Sequence, residues 1–259
     1  MFGEGEKTGV TGMSQDGWGV SASSRTNEAV HGETSSDQFA AVAGISLNRT
    51  RRRDGRFSTG VWGSSQAGEG VHGESHSDVF AAVAGIQLNP GSSGAGIYGE
   101  HRGDGPAGFF NGNVVVTKDI FLTNADCAEE FDLSDAAAVE PGTVMVIDHD
   151  GSLQQSHEAY DKKVAGIVSG AGTHKPAIIL DKQYDRQNRI SIALVGKVYC
   201  KVDARYSPIE IGDLLTTSPN PGHAMKAHDP DRAFGAVIGK ALRSLTDGVG
   251  MIPVLVALQ

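Results

Sequence analysis

Apolar residues recur along this chain in two different rhythms. From about residue 141 onward, short Val- and Ile-rich runs alternate with turn residues: 143–148, 164–169, 177–180, 190–202, 214–217, 233–238 and 251–258. Runs of that length and composition predict β-strands, and Asp150-Gly151 between two of them predicts a hairpin turn. Only 156–164 carries an arguable helical period. The earlier part of the chain spaces single β-branched residues ten apart, as at Val10, Val20 and Val30 and again at Val61 and Val71, all but Val30 directly after glycine. Between the two rhythms lies 114–122, with Val114, Val115, Val116, Ile120, Phe121 and Leu122, which predicts a further strand.

The early rhythm is a repeat. Residues 28–48 (EAVHGETSSDQFAAVAGISLN) and 69–89 (EGVHGESHSDVFAAVAGIQLN) are identical at 16 of 21 positions at an offset of 41 residues. A shorter unit, Gly-Val-x-Gly or a close variant, begins at Gly9, Gly60, Gly70 and Gly96. A stub of a few extended residues closed by glycine cannot bury a face alone and must stack on copies of itself. The FAAVAGI segments are read as close-packed strands whose small side chains face an axis. Such a shaft exposes much glycine backbone as one chain, so the expected assembly is a homotrimer in which three chains meet on a threefold axis.

Composition sharpens this division. Of 35 glycines, 23 fall in residues 1–118 and 12 in 119–259. With 39% hydrophobic and 20% charged residues, the chain is too apolar for a disordered tail. Its longest apolar stretch, 251–258, is interrupted by Pro253 and falls short of the roughly 20 residues that a spanning helix needs, so no membrane partner is expected. The net charge of −9 argues against a nucleic-acid partner. The first residues, MFGEGEK, lack a basic and apolar leader, so no signal peptide is expected and synthesis is placed in a bacterial cytoplasm. Cys127 and Cys200 have no CxxC partners for zinc and read as small hydrophobes.

Several motifs reduce to ordinary structure. The GxGxxG match at 103–108 follows no strong strand and contains Pro106, so it predicts no nucleotide site, and Asp148-His149-Asp150-Gly151 lacks the remaining ligands of a calcium loop. No metal or cofactor is expected, although His31 and His72 occupy equivalent repeat positions and three chains would gather three of each. Arg51, Arg52 and Arg53, with Arg49 and Arg56, form the one basic cluster, a candidate contact for phosphate or acidic glycan. Trp18, Trp62 and Tyr98 complete a case for a cell-surface glycan partner.

The densest chemistry is at 123–132, TNADCAEEFD, where four carboxylates lie within seven residues. Asp126 and Glu129 are three apart, close enough to converge in a turn or to meet a neighbour's pair. Crowded carboxylates hold one proton between them and supply both an acid and a base at neutral pH. The other reading is a solvated acidic linker.

Five segments in order, NADCAEEFD (124–132), VAGIVSG (164–170), ALVGKV (193–198), IGDLL (211–215) and DRAFG (231–235), resemble the autocleaving intramolecular chaperone domain, the peptidase G2 family, at the C-terminus of phage neck appendages and tail spikes. The resemblance spans about residues 114–259. It implies a domain that trimerises a β-helical fibre and then cuts itself free before the Asp of an ADYAE-like motif. On this chain the cut would fall at Ala125–Asp126, with Asp126 and Glu129 as the catalytic residues and Glu129 as acid/base, in cis or from a neighbour. The chain departs from the pattern at Cys127, where the family commonly has Tyr, and at Ala125, which has no hydroxyl.

The expectation is therefore an all-β protein: a glycine-rich trimeric β-helix or β-prism stalk at 1–113, a junction strand and acidic motif at 114–131, and a small β-barrel or sandwich at 132–259. It would serve as a structural fibre or spike of a virion or phage-like injection apparatus, bound to other components of that particle. Autoproteolysis and a glycan-binding tip remain the two alternatives.

Overall fold

This computed structural model describes residues 11–36, 40–47, 59–134 and 138–257. The chain divides into two compact units, Met1–Phe109 and Phe110–Gln259. The alternating runs of the second unit become strands β1 (Asp126–Asp132), β2 (Val144–Ile147), β3 (Leu153–Gln155), β4 (Val164–Val168), β5 (Pro176–Leu180), β6 (Arg189–Asp203), β7 (Leu214–Thr217), β8 (Ala224–Lys226), β9 (Val237–Ala241) and β10 (Val249–Ala257). The one described helix, α1 (Pro230–Ala233), has four residues. The protein is thus nearly all β.

Strand β6 organises the unit. Its C-terminal half pairs antiparallel with β10 from Val195 to Asp203 and touches β8 in parallel at Val202. Strand β8 continues to β7, β7 to β9, and β9 back to β10, so five strands close into a small barrel. Period-two alternation turns Val198, Cys200 and Val202 of β6 and Ile252, Val254 and Val256 of β10 inward, where they meet Leu215, Ala224, Ile238 and Ala241. Burial pushes the Cys200 thiol far up, leaving it a neutral filler of this core.

The N-terminal half of β6 serves a second sheet. It pairs antiparallel with β1 along one edge and with β4 along the other, β5 adds in parallel to β1, and β2 and β3 extend from β4. Met145, Leu153, Val168 and Ile192 fill a second core beneath it, with Phe131 and Ile190 packed at its rim. The predicted hairpin turn at Asp150-Gly151 joins β2 to β3.

Three expected elements differ. Residues 156–164 form turns rather than a helix: Tyr160 takes φ 60°, its hydroxyl accepts from the Asp229 amide at 3.0 Å, and the Arg232 guanidinium lies 4.4 Å above its ring. The run 233–238 begins as the end of α1, because Asp229 caps it by accepting from the amides of Asp231 and Arg232 and Pro230 opens it. Residues 114–122 are exposed and form no strand, since no described segment offers them a ladder partner.

The described residues of the first unit are extended segments and bends without a strand or helix. No strand of the expected β-helix is present among these described residues, the second FAAVAGI segment included. Instead a close-contact motif recurs. A Cβ on Gly12, Gly44, Gly63 or Gly85 would stand 2.2–2.5 Å from the carbonyl oxygen of Gly19, Gly60, Gly70 or Gly96, and 2.5–2.6 Å from the following Val or Ile side chain. Only glycine permits that approach. Ser14 and Ser65 shape the intervening bends by accepting from the amides of Gly17 and Gly68 at 2.9 Å. The side chains beside these contacts, Val20, Val61, Val71 and Ile97, are all exposed, by 67–72%.

Ile238, fully buried in the barrel, tests the core assignment. Ile238→Ala should cost about 2–5 kcal/mol in chemical denaturation, whereas Val249→Ala, on a side chain that is exposed, should cost under about 0.5 kcal/mol.

Candidate functional site

The acidic motif is β1 itself. Hydrogen bonding to β5 on one side and β6 on the other holds this unpromising sequence extended, so tertiary pairing overrides its weak strand propensity. The strand alternates strictly: Asp126, Ala128 and Glu130 are buried, while Cys127, Glu129 and Phe131 are half-buried on the other face. An odd spacing along a strand places two residues on opposite faces. Asp126 and Glu129 therefore do not converge within one chain, and the turn that would have joined them is absent.

The acids of β1 are treated unequally. Glu130 accepts from Lys182 Nζ at 2.8 Å and lies 3.9 Å from Arg189 Nη1. Asp132 pairs with Arg186 at 3.0 Å and with Arg189 Nε at 3.2 Å. The largely buried Arg189 guanidinium also donates to the Glu130 carbonyl at 2.7 Å and to the Asp181 carboxylate, tying β1, β5 and β6 together. Glu129 makes no ion pair among the described residues and lines an open groove of about 470 Å³ with Asp132, Asp150, Asp181, Arg186 and Arg189.

Asp126 is 2% exposed, and among the described residues no cation pairs with it. Neither of its carboxylate oxygens has a partner of hydrogen-bonding geometry, and the Ser169 hydroxyl, also buried, has none either. Burial pushes the Asp126 carboxyl above the usual carboxylate range, while the neighbouring Ser169 hydroxyl and the His174 imidazole pull in the opposite direction. Ser169 directly follows β4 and His174 precedes β5, so neither is near Asp126 in sequence.

The peptide group ahead of Asp126 is clamped on both edges. The Ala125 amide donates to the Lys175 carbonyl at 2.9 Å, and the Ala125 carbonyl accepts from the Lys197 amide at 3.3 Å. Gly196 makes that second contact feasible: at φ 115°, a Cβ there would lie 2.6 Å from the Ala125 oxygen and 2.9 Å from Asp126 Cα. Donors on the Ala125 carbonyl and a buried carboxyl on the next residue are suited to acyl chemistry at the bond between them. Sequence reasoning found Asp126 but missed Ser169, His174, Gly196 and Lys197. The ALVGKV and VAGIVSG segments were visible, yet nothing in them marks what they face.

The other candidates are more dispersed. His31 lies between Glu28 and Glu33, at 2.5 and 3.0 Å, and His72 between Glu69 and Glu74; hydrogen bonds donated to Glu33 and Glu74 foremost raise both imidazoles above their usual value. These pairs are exposed, and no group among the described residues has the composition and geometry of a metal site. Arg51, Arg52 and Arg53 lie outside the described residues. Cys127 is half-buried and Cys200 buried, both as free thiols. No described helix is long and apolar enough to cross a membrane.

No protein-family model matches the chain, and no curated protein matches it. Among solved structures, it is similar to the pre-mature gene product 12 of bacteriophage phi29, with a TM-score of 0.43 and 14% identity over 56% of this chain and 23% of that one. A C-terminal fragment of the same phage protein aligns with a TM-score of 0.34 and 15% identity, over 51% of this chain and 99% of the fragment. The chain thus spans under a quarter of the length of the first of these.

Two substitutions test the site. The native Asp126 carboxyl holds its proton above the unfolded value of about 3.9, so its favourable contribution is complete below that pH and is lost as pH rises through the native value. Asp126→Asn cannot ionise; its denaturation midpoint should exceed that of the parent at pH 7, with the gap closing toward pH 4. Gly196→Ala should destabilise by at least about 1–2 kcal/mol in the same assay, from backbone strain before the clash is counted.

Proposed function

We propose that the chain is a structural protein of a phage or phage-like particle, a homotrimeric fibre or spike segment in which the C-terminal β unit sets three chains in register and the glycine-rich unit assembles behind it. One observation carries this reading: the regular row of exposed Val and Ile side chains in the first unit, set beside glycines that leave no room for a Cβ. A single chain leaves this row in water and, among the described residues of the unit, makes one backbone–backbone hydrogen bond, from the Ser92 amide to the Asn89 carbonyl. Three parallel copies around an axis would cover the row and give each extended segment a neighbour on both edges, whereas two copies would leave an edge open. The need for a nucleus is kinetic: short stubs have few local contacts and must be brought into register before pairing gains anything.

A second reading is favoured by a separate observation. The buried Asp126 carboxyl and the donor on the Ala125 carbonyl support self-cleavage at Ala125–Asp126, which would free the assembled stalk from its C-terminal unit. Glu129 would act there from a neighbouring chain, since its own strand turns it away from Asp126. A glycan-binding tip rests on Trp18 and Trp62, both strongly exposed in the single chain, and on the arginine cluster.

Native mass spectrometry of freshly purified protein tests the assembly. A species near 81 kDa is expected, three times the 27.0 kDa chain; a monomer would overturn the reading. Val61→Asp with Val71→Asp should remove about 1.5–3 kcal/mol of apolar burial per side chain, and so lower the thermal midpoint of the glycine-rich unit with the trimer mass retained.

A further inference from the structure

The homotrimer proposed above, on which this inference rests, needs a surface through which its C-terminal units meet. We infer that the outward face running across β5, β1, β6, β10, β9 and β7 is that contact, the β1–β5 end of one copy lying against the β9–β10 end of the next. Side chains at paired positions of a ladder share a face, and the register traces this one from strand to strand. Cys127 of β1 pairs with Ile178 of β5 and with Val195 of β6, while Glu129 pairs with Leu180. Two residues further along β6, Lys197 pairs with Leu255 of β10, Leu255 with Lys240 of β9, and Lys240 with Leu214 of β7. Ile178, Leu180, Val195, Leu255 and Leu214 are each 39–56% exposed. Leu214, Lys240, Leu255 and Ala257 line one shallow depression of about 190 Å³, so the apolar row is continuous there.

Single apolar side chains on a surface are ordinary, but a row of them on one sheet face marks an interaction surface. Charge identifies what covers it. At the β1–β5 end Glu129 has no ion pair among the described residues, and the groove it lines holds five carboxylates, Glu129, Glu130, Asp132, Asp150 and Asp181, against two guanidinium groups, Arg186 and Arg189. At the other end Lys197 and Lys240 are exposed, and neither pairs with an acid among the described residues. The face thus carries unbalanced negative charge at one end and positive charge at the other, with apolar residues between. A contact around a threefold axis is heterologous: it joins two different patches of the same chain, which must complement each other. A face graded in this way meets that requirement with a second copy of itself, since rotation sets the acidic end of each copy beside the basic end of its neighbour. The apolar side chains supply burial, and the charges set direction and register.

Zero-length carbodiimide cross-linking of the full-length protein tests the face, because the reagent joins a carboxylate to a lysine amine only where the two touch. Within one chain Glu129 stands opposite Ile192, five residues and so roughly 15 Å along β6 from Lys197, and Lys240 lies two strands further across. A peptide joining Glu129 to Lys197 or Lys240 therefore reports contact between copies, and it is the expected product. Val195→Asp with Leu255→Asp, both on exposed side chains, should keep the circular dichroism of the parent. The pair should raise at least tenfold the concentration at which native mass spectrometry shows half the 81 kDa species, three times the 27.0 kDa chain, dissociated. The cross-link is read on the parent, so it decides the matter even where the substitutions disturb folding. A trimeric parent that gives no such joined peptide, or a folded double variant that dissociates as the parent does, would overturn this surface and leave the homotrimer standing, with the face turned to a different protein. A parent that is monomeric at every concentration would overturn the homotrimer, and this inference with it.

Discussion

The second unit depends on one strand being long enough to belong to two sheets. β6 spans 15 residues, and its partners change midway: β1 and β4 flank its first half, β10 and β8 its second. Gly196 stands at the changeover, paired with Asp126 on one edge and Val256 on the other. Both cores hang on this strand, with Ile192 filling one and Val198, Cys200 and Val202 the other. A side chain at 196 would push the acidic strand away from β6, since its Cβ would meet the Ala125 oxygen and Asp126, so the fold constraint and the candidate chemistry meet at the same residue.

The first unit is governed by a different constraint. Its close contacts are backbone to backbone and gain little from hydrophobic burial, since the Val and Ile side chains beside them stay in water. A sequence that repeats such a device with 16 of 21 positions unchanged specifies geometry well and single-chain stability poorly. That imbalance is what a shaft made from several chains requires, because burial is then gained only on assembly. The paired Glu-His-Glu arrangements at His31 and His72 recur with the repeat. Exposed as they are, they add little stability in one chain.

Legibility in the sequence followed the strength of local patterning. The strands β2, β4, β5, β6, β7 and β10 were visible because short apolar runs, most of them rich in Val and Ile, lie between turn signals. β1 was not, because Asp-Cys-Ala-Glu-Glu-Phe-Asp has neither strand propensity nor an apolar face; it is extended only because β5 and β6 offer edges on both sides. The opposite error occurred at 114–122, where Val114, Val115 and Val116 have high strand propensity and no edge to join. Propensity proposes a strand, but a partner decides it. The same gap hid part of the candidate site, since Gly196 and Lys197 reach Asp126 and Ala125 through sheet pairing.

The unequal treatment of the acids on β1 is the most informative feature of the site. A chain selected only to fold would treat Asp126 as it treats Glu130 and Asp132, each of which has a lysine or arginine from β5, β6 or the turn between them. Asp126 has the deepest burial of the three and no cation, an arrangement that opposes ionisation and costs stability at neutral pH. Replacing it by Asn would relieve that cost, so the carboxyl at this position works against the folded state. Strained or unpaired groups of this kind concentrate where a protein does chemistry. Together with the donor on the adjacent carbonyl, this makes the Ala125–Asp126 bond, rather than the acidic groove beside Glu129, the candidate site on which the proposed self-cleavage rests.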